Sequence, residues 1–311
     1  MSETELPVSE IEGRIEERPP RYVFEPIVRL MLYLFTIGVG LVLVGFAIAP
    51  FIFAFKIKVT DVFDFQSNLP LMTIYYISAT FAVLLISFGF ILFVDKLPAE
   101  ALGFNFREKW VRELLLGISI GALATSFIFI ISYVMGWVRV TGFIFEKPPA
   151  KILSTLLLTI LLMASIAVVE ETMVRGYVLR TLKWGYGAFS ALIISSAFFS
   201  MLHFLNPGAT LFGFLGTMAA GIVLGYGYLA TGRLWLPIGF HFGWNFFLGP
   251  VFGFPVSGIE FDSWIEQIRT ANTLWLGGDF GPEAGLLSFI ALLLSAVAIR
   301  WFTKKSEKAR S

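Results

Sequence analysis

The chain has 311 residues, 57% of them hydrophobic and only 14% charged, with a formal net charge of +1. Water-soluble domains carry about 45–50% apolar and about 25% charged residues, so an ordinary soluble protein is excluded, and so is the concentrated basic surface that nucleic-acid binding needs. The absence of cysteine removes disulfides, thiolate metal sites and cysteine nucleophiles.

Residues 1–26 are polar, with Glu3, Glu10, Arg14, Glu16 and Arg21 among them and no apolar core of the kind a signal peptide has. They read as a solvated cytoplasmic tail. A membrane span needs about 20 mostly apolar residues, and eight such runs follow: Ile27–Phe55, Leu71–Val94, Leu114–Val138, Ile152–Arg175, Ala188–Phe204, Ala209–Ala230, Leu234–Phe254 and Ala284–Phe302. The runs are continuous rather than alternating, which predicts an all-α polytopic helical bundle and not a β-barrel. The fourth helix is expected to continue to about Lys183, where Gly185 and Gly187 stop it. Asn206-Pro207-Gly208 and Thr231-Gly232-Arg233 mark tight turns on either side of the sixth. The Gly221, Gly225 pair has the spacing of close helix packing. Leu97–Glu113 mixes aromatic and basic residues and reads either as a short interfacial amphipathic segment or as a basic loop.

In this frame the chain divides into the tail 1–26, three N-terminal spans over 27–150, a four-span core over 151–254, an outer loop 255–283 able to fold over the bundle, a last span 284–302 and a basic tail 303–311. Seventeen Lys and Arg then lie on the inner side and six on the outer, which predicts an integral membrane protein with both termini cytoplasmic. The plasma (inner) membrane is the expected location.

An ionisable side chain inside a span costs about 2.5–3.5 kcal/mol or more and is by default a functional candidate. Glu170 and Glu171 are the only acidic residues well inside an expected span, and His203 and His241 are the only histidines in the chain. They fall on the fourth, fifth and seventh spans. Glu171 and Arg175 are four apart and share a helix face, while Glu170 points about 100° away. Phe199 and His203, and His241 and Asn245, are likewise four apart. Helix lengths at 1.5 Å per residue allow Glu170 and His203 to meet in one layer. His241 joins that layer only if the hairpin of the fourth and fifth helices protrudes beyond the membrane.

Glu170-Glu171-x-x-x-Arg175, Phe199-x-x-x-His203 and His241-x-x-x-Asn245, in this order on successive helices, resemble the CPBP family: the CAAX proteases and bacteriocin-processing enzymes related to the Rce-type prenyl-protein endopeptidase. The resemblance covers about Ile152–Pro250. Gly277–Glu283 is also similar to a stretch found in bacterial members. The resemblance implies a glutamate-dependent intramembrane endopeptidase acting on a membrane-associated or lipid-modified protein or peptide precursor. Glu170 would activate water with His203, His241 and Asn245 would form the oxyanion hole, and Glu171 with Arg175 would hold the environment of Glu170. Phe199 would shape the site. Chemistry of this kind needs a base beside the attacking water and donors beside the developing oxyanion. No H-E-x-x-H zinc-protease helix is present. Two alternatives stay open: a peptidase in which Glu170, His203 and His241 bind a divalent metal such as zinc, and a non-proteolytic immunity or scaffold protein. Oligomeric state is not legible.

Overall fold

The structure, a computed structural model, describes residues 25–54, 66, 68–106, 109–270 and 273–308. Most of the polar N-terminal tail, the end of the basic C-terminal tail and the charges Lys56, Lys58 and Arg107 lie outside the described residues.

Among the described residues the fold is, besides one short helix at Thr273–Leu276, an all-α bundle of eight long helices. In chain order they are α1 (Glu25–Ala54), α2 (Leu69–Gly89), α3 (Trp110–Val134), α4 (Pro149–Glu171), α5 (Arg180–Leu202), α6 (Leu211–Thr231), α7 (Trp235–Phe246) and α8 (Leu286–Lys308). Wide π turns extend α2 through Phe90–Val94, α4 through Thr172–Leu179 and α7 through Phe247–Val251. Six helices among the described residues are long and apolar enough to cross a membrane. The difference from the eight expected spans has two sources. Residues Pro149–Leu202 form one helical stretch by hydrogen bonding, yet Gly187 inside it is non-helical at φ 80°, ψ 164°, so the chain turns there. Helix α7, at 12 residues plus a five-residue π extension, is too short to qualify.

The bundle surface carries exposed aromatic and aliphatic side chains such as Phe35, Phe46, Phe81, Phe93 and Phe189. That is the reverse of a soluble protein and suits contact with lipid tails. Hydroxyls within the helices are satisfied locally: Thr36, Ser78, Ser119, Ser132 and Thr159 each donate to the carbonyl four residues earlier, as a medium without water demands.

Helices α2 and α4 run parallel in a constant register, with Thr73 Oγ1 on Leu158 O and Thr80 Oγ1 on Ser165 O, both at 3.4 Å. The closest helix pair is α3 with α7. Gly117 and Gly121 of α3 face the α7 backbone, and Gly239 and Gly243 of α7 face the α3 backbone. A Cβ at Gly117 would lie 2.3 Å from Leu236 O, and one at Gly239 2.2 Å from Leu114 O. Interlocking small residues let two backbones touch where lipid supplies no hydrophobic drive, and they set the position of α7. The Gly221, Gly225 pair packs α6 on α5 in the same way, against Ser196 and Leu192.

One end of the bundle holds the connections Asp95–Lys109, the Gly187 turn and Gly232–Leu234. There Asp95 gathers Arg29 at 2.5 Å and Arg180, joining α1, α2 and α5, and Glu113 pairs with Arg233. Residues 97–106 are neither an amphipathic helix on the surface nor a free basic loop. Leu102 is fully buried, Leu234 N–H donates to Gly103 O at 3.0 Å, and the Trp235 indole donates to Asn105 O at 2.7 Å. Phe104 packs on Phe88 and Trp235, while Phe106 touches Trp235 but stays exposed, so the segment packs into the bundle and keeps one aromatic at its surface.

The opposite end carries a two-stranded antiparallel sheet, β1 (Val138–Phe143) with β2 (Ile265–Arg269), together with the turn 204–210 and the long segment 252–285. This long segment does fold over the bundle: Phe254, Phe280 and Glu283 are all buried. If the α3–α7 contact sets the fold, Gly239→Val should lower the thermal unfolding midpoint of detergent-purified protein by an amount corresponding to about 1–3 kcal/mol or more of overpacking. Gly45→Ala, whose Cβ meets nothing within 4 Å, should leave it unchanged or slightly raised.

Candidate functional site

Helix α4 delivers Glu170 and Glu171 just before its π turn, all of whose residues Thr172–Leu179 are buried. A π turn widens the helix and is frequent at functional sites. Glu171 is fully buried, and one of its oxygens, Oε1, accepts two bonds: from Arg175 Nη1 at 2.7 Å and from His241 Nδ1 at 2.8 Å. Arg175 is also fully buried. Its second nitrogen donates to Gly221 O at 3.2 Å, and its guanidinium lies 4.3 Å from the centroid of the Phe199 ring. Residues from α4, α5, α6 and α7 thus meet around one ion pair.

Glu170 faces the other way, as its position one residue earlier demands. Its Oε2 is buried without a hydrogen-bond partner. It stands 3.7 Å from His203 Nε2 and 3.8 Å from His241 Nε2. Both rings are turned toward it by their other nitrogen. His203 Nδ1 donates to Phe199 O at 2.9 Å, one turn back on α5, and His241 Nδ1 donates to Glu171. A carbonyl and a carboxylate can only accept, so Nδ1 carries a proton in both rings and each Nε2 is left for chemistry. His203 occupies the cap position at the end of α5. The Phe199 ring packs against both histidines, at 4.8 Å and 5.9 Å between centroids.

Asn245, one turn beyond His241, is buried and makes no side-chain hydrogen bond among the described residues. It borders, with His203, His241, Phe199, Thr217 and Trp244, a cavity of about 20 Å³, room for about one water molecule. Ser200 is turned away from His203: its hydroxyl bonds Phe214 O at 2.6 Å and Thr217 at 2.5 Å, so no serine–histidine pair forms there. Among the described residues no group of three or more His, Cys, Asp and Glu is arranged to hold a metal ion.

Every residue singled out from the sequence thus lies in one cluster, His241 included. Three features were not read there. The bond from Glu171 to His241 crosses between helices, and helical spacing showed only its bond to Arg175. Ser257 and Glu283, from the long segment 252–285, line the same cavity. The signal for Glu283 was an acidic residue in an apolar, glycine-rich stretch, and a linear reading does not bring that stretch to α7.

Residues 152–247 match the family described as type II CAAX prenyl endopeptidase, Rce1-like. No curated protein and no solved structure matches the chain. The matched segment runs from α4 to the start of the π turn of α7 and includes Glu170, Glu171, Arg175, Phe199, His203, His241 and Asn245. Over that segment the chain carries the signature of the CAAX-protease family of membrane-embedded peptidases.

Proposed function

We propose that the protein is a glutamate-type intramembrane endopeptidase with Glu170 as the base. The observation that carries this reading is the lone Oε2 of Glu170, buried between two imidazole Nε2 atoms at 3.7 and 3.8 Å. Those separations are too long for direct hydrogen bonds, so a water must enter beside the carboxylate as the site opens for substrate.

In this reading Glu170 takes a proton from that water as its oxygen attacks the scissile carbonyl, and His203 Nε2 aligns the water and shuttles the proton toward the departing amine. The carbonyl oxygen becomes an oxyanion next to Asn245, whose free amide has two N–H donors. His241 donates from Nε2 only as an imidazolium, with Glu171 as its counter-charge. Arg175 ties Glu171 to α6 through Gly221 O, so the counter-charge stays fixed while charge moves nearby. The cavity takes water but not a peptide, so its walls must part for substrate.

The substrate class that fits is a membrane-associated or lipid-modified protein, or a peptide precursor, entering from the bilayer. Charge distribution favours both termini in the cytoplasm, and the plasma (inner) membrane is the expected location. A zinc-dependent variant would need Glu170, His203 and His241 to close on one ion.

Comparing protein termini in membranes from wild-type and Glu170→Ala cells should reveal a cleavage product lost in the variant; identical termini would refute the peptidase. On a synthetic peptide spanning that cleavage site, Asn245→Ala should lower kcat about 10²–10³-fold, and a wild-type rate would remove Asn245 from the oxyanion hole. Activity should persist after dialysis against a strong chelator; loss restored by zinc would establish the metal variant instead. Arg175→Met should destabilise the protein by about 3–5 kcal/mol, because it leaves the Glu171 carboxylate buried beside only one donor. Thermal unfolding in detergent measures this, and an unchanged midpoint would count against the ion pair as the anchor of the site.

A further inference from the structure

The segment 252–285 reaches the cavity because it is fastened to the turn that follows His203. Asn206 Nδ2 donates to Ser257 O at 2.9 Å, and Gly258 N–H donates to Phe280 O at 2.8 Å. Glycines permit the close approach. Gly258, at φ +85°, has no room for a Cβ, which would lie 2.0 Å from Pro207 O, and a Cβ on Gly216 of α6 would lie 1.7 Å from Glu283 O.

The result is a carboxylate pressed into the site. Glu283 is 7% exposed. Its Oε1 accepts from the Trp244 indole at 3.2 Å, and its Oε2 accepts from Ser257 N–H at 2.5 Å and Ser257 Oγ at 2.8 Å. These three donors are neutral, and no ion pair to Glu283 exists among the described residues. A buried carboxylate without a counter-charge is expensive, and neutral groups would hold the loop as well. Ser257 itself sits at φ +46°, a strained conformation for a residue with a side chain, and Glu283 holds both its N–H and its hydroxyl.

Trp244 and Ser257 are walls of the cavity that Asn245 borders. The Asn245 amide has no hydrogen bond to set its direction, so the walls set it. We propose that Glu283 is a positioning residue of the peptidase site: by holding Trp244 and Ser257 it aims the Asn245 amide at the developing oxyanion. The inference rests on the peptidase reading above.

The test measures kcat and KM of detergent-purified protein on a synthetic peptide spanning the cleavage site found by the terminus comparison. Glu283→Gln keeps the size and the bond to Ser257 but sets an amide N–H₂ against the Trp244 N–H. It should lower kcat by up to about 10²-fold with KM unchanged, as for a misaimed catalytic group. In an Asn245→Ala background the same substitution should cost nothing further, since two residues acting through one interaction are not additive. Trp244→Phe, which keeps a ring and removes the N–H, should show the same coupling and carries the test if Glu283→Gln does not fold. Wild-type kcat in Glu283→Gln, or equal losses in both backgrounds, would overturn the proposal. Wild-type cleavage in Glu170→Ala would overturn the peptidase reading itself. An inactive Glu170→Ala beside a fully active Glu283→Gln would overturn this inference alone.

Discussion

A single carboxylate oxygen, Oε1 of Glu171, is bonded by a guanidinium on its own helix and by an imidazole on another, in a place that water does not reach. At low dielectric the cost of leaving either charge unpaired is several kcal/mol, so this contact dictates much around it. Arg175 must be buried to reach it; its Nη2 then bonds the Gly221 carbonyl and its face lies over the Phe199 ring, while Nε is left without a partner. Gly221 is small enough for α6 to come that close to α5. His241 must present Nδ1 to the carboxylate, which points Nε2 at Glu170. The orientation of the reactive groups is therefore a consequence of how the ion pair is satisfied.

Adjacent acidic residues on one helix divide two tasks because helix geometry sends them in different directions. Glu171 has Oε1 held by Arg175 and His241 while its Oε2 is buried without a hydrogen bond; Glu170 is held by neither and faces two histidines. A soluble enzyme often positions such groups with loops. Here they come from helices locked by glycine contacts and a π turn, which suits a site where small displacements are costly.

The site's main residues were legible because ionisable groups are rare in apolar spans, so Glu170, His203 and His241 stand out against Phe, Leu and Ile. The helical bundle was legible for the same reason. Other features were hidden because they depend on neighbours distant in sequence. Gly117, Gly121, Gly239 and Gly243 carry the same small-residue spacing as Gly221 and Gly225, but spacing does not name the helix on the other side. The Leu97–Glu113 stretch read either as interfacial or as a basic loop from its mix of aromatic and basic residues; neither reading foresaw that Leu102 is buried and that Asn105 O accepts from Trp235. Glu283 lies in a loop, where neither period nor hydropathy predicts what a carboxylate will touch. The helix stop expected at Gly185 and Gly187 has its counterpart in the non-helical backbone of Gly187.

The glycine contact between α3 and α7 bears on where this enzyme's functional unit ends. Helix α7 carries His241 and Asn245 and lies within the family segment, but α3, which it interlocks with, lies before residue 149 and outside that segment. The partner that sets the height and rotation of His241 and Asn245 thus comes from the part of the chain outside the family match. The signature-bearing helices excised on their own would leave the α7 glycine stripe bare to lipid.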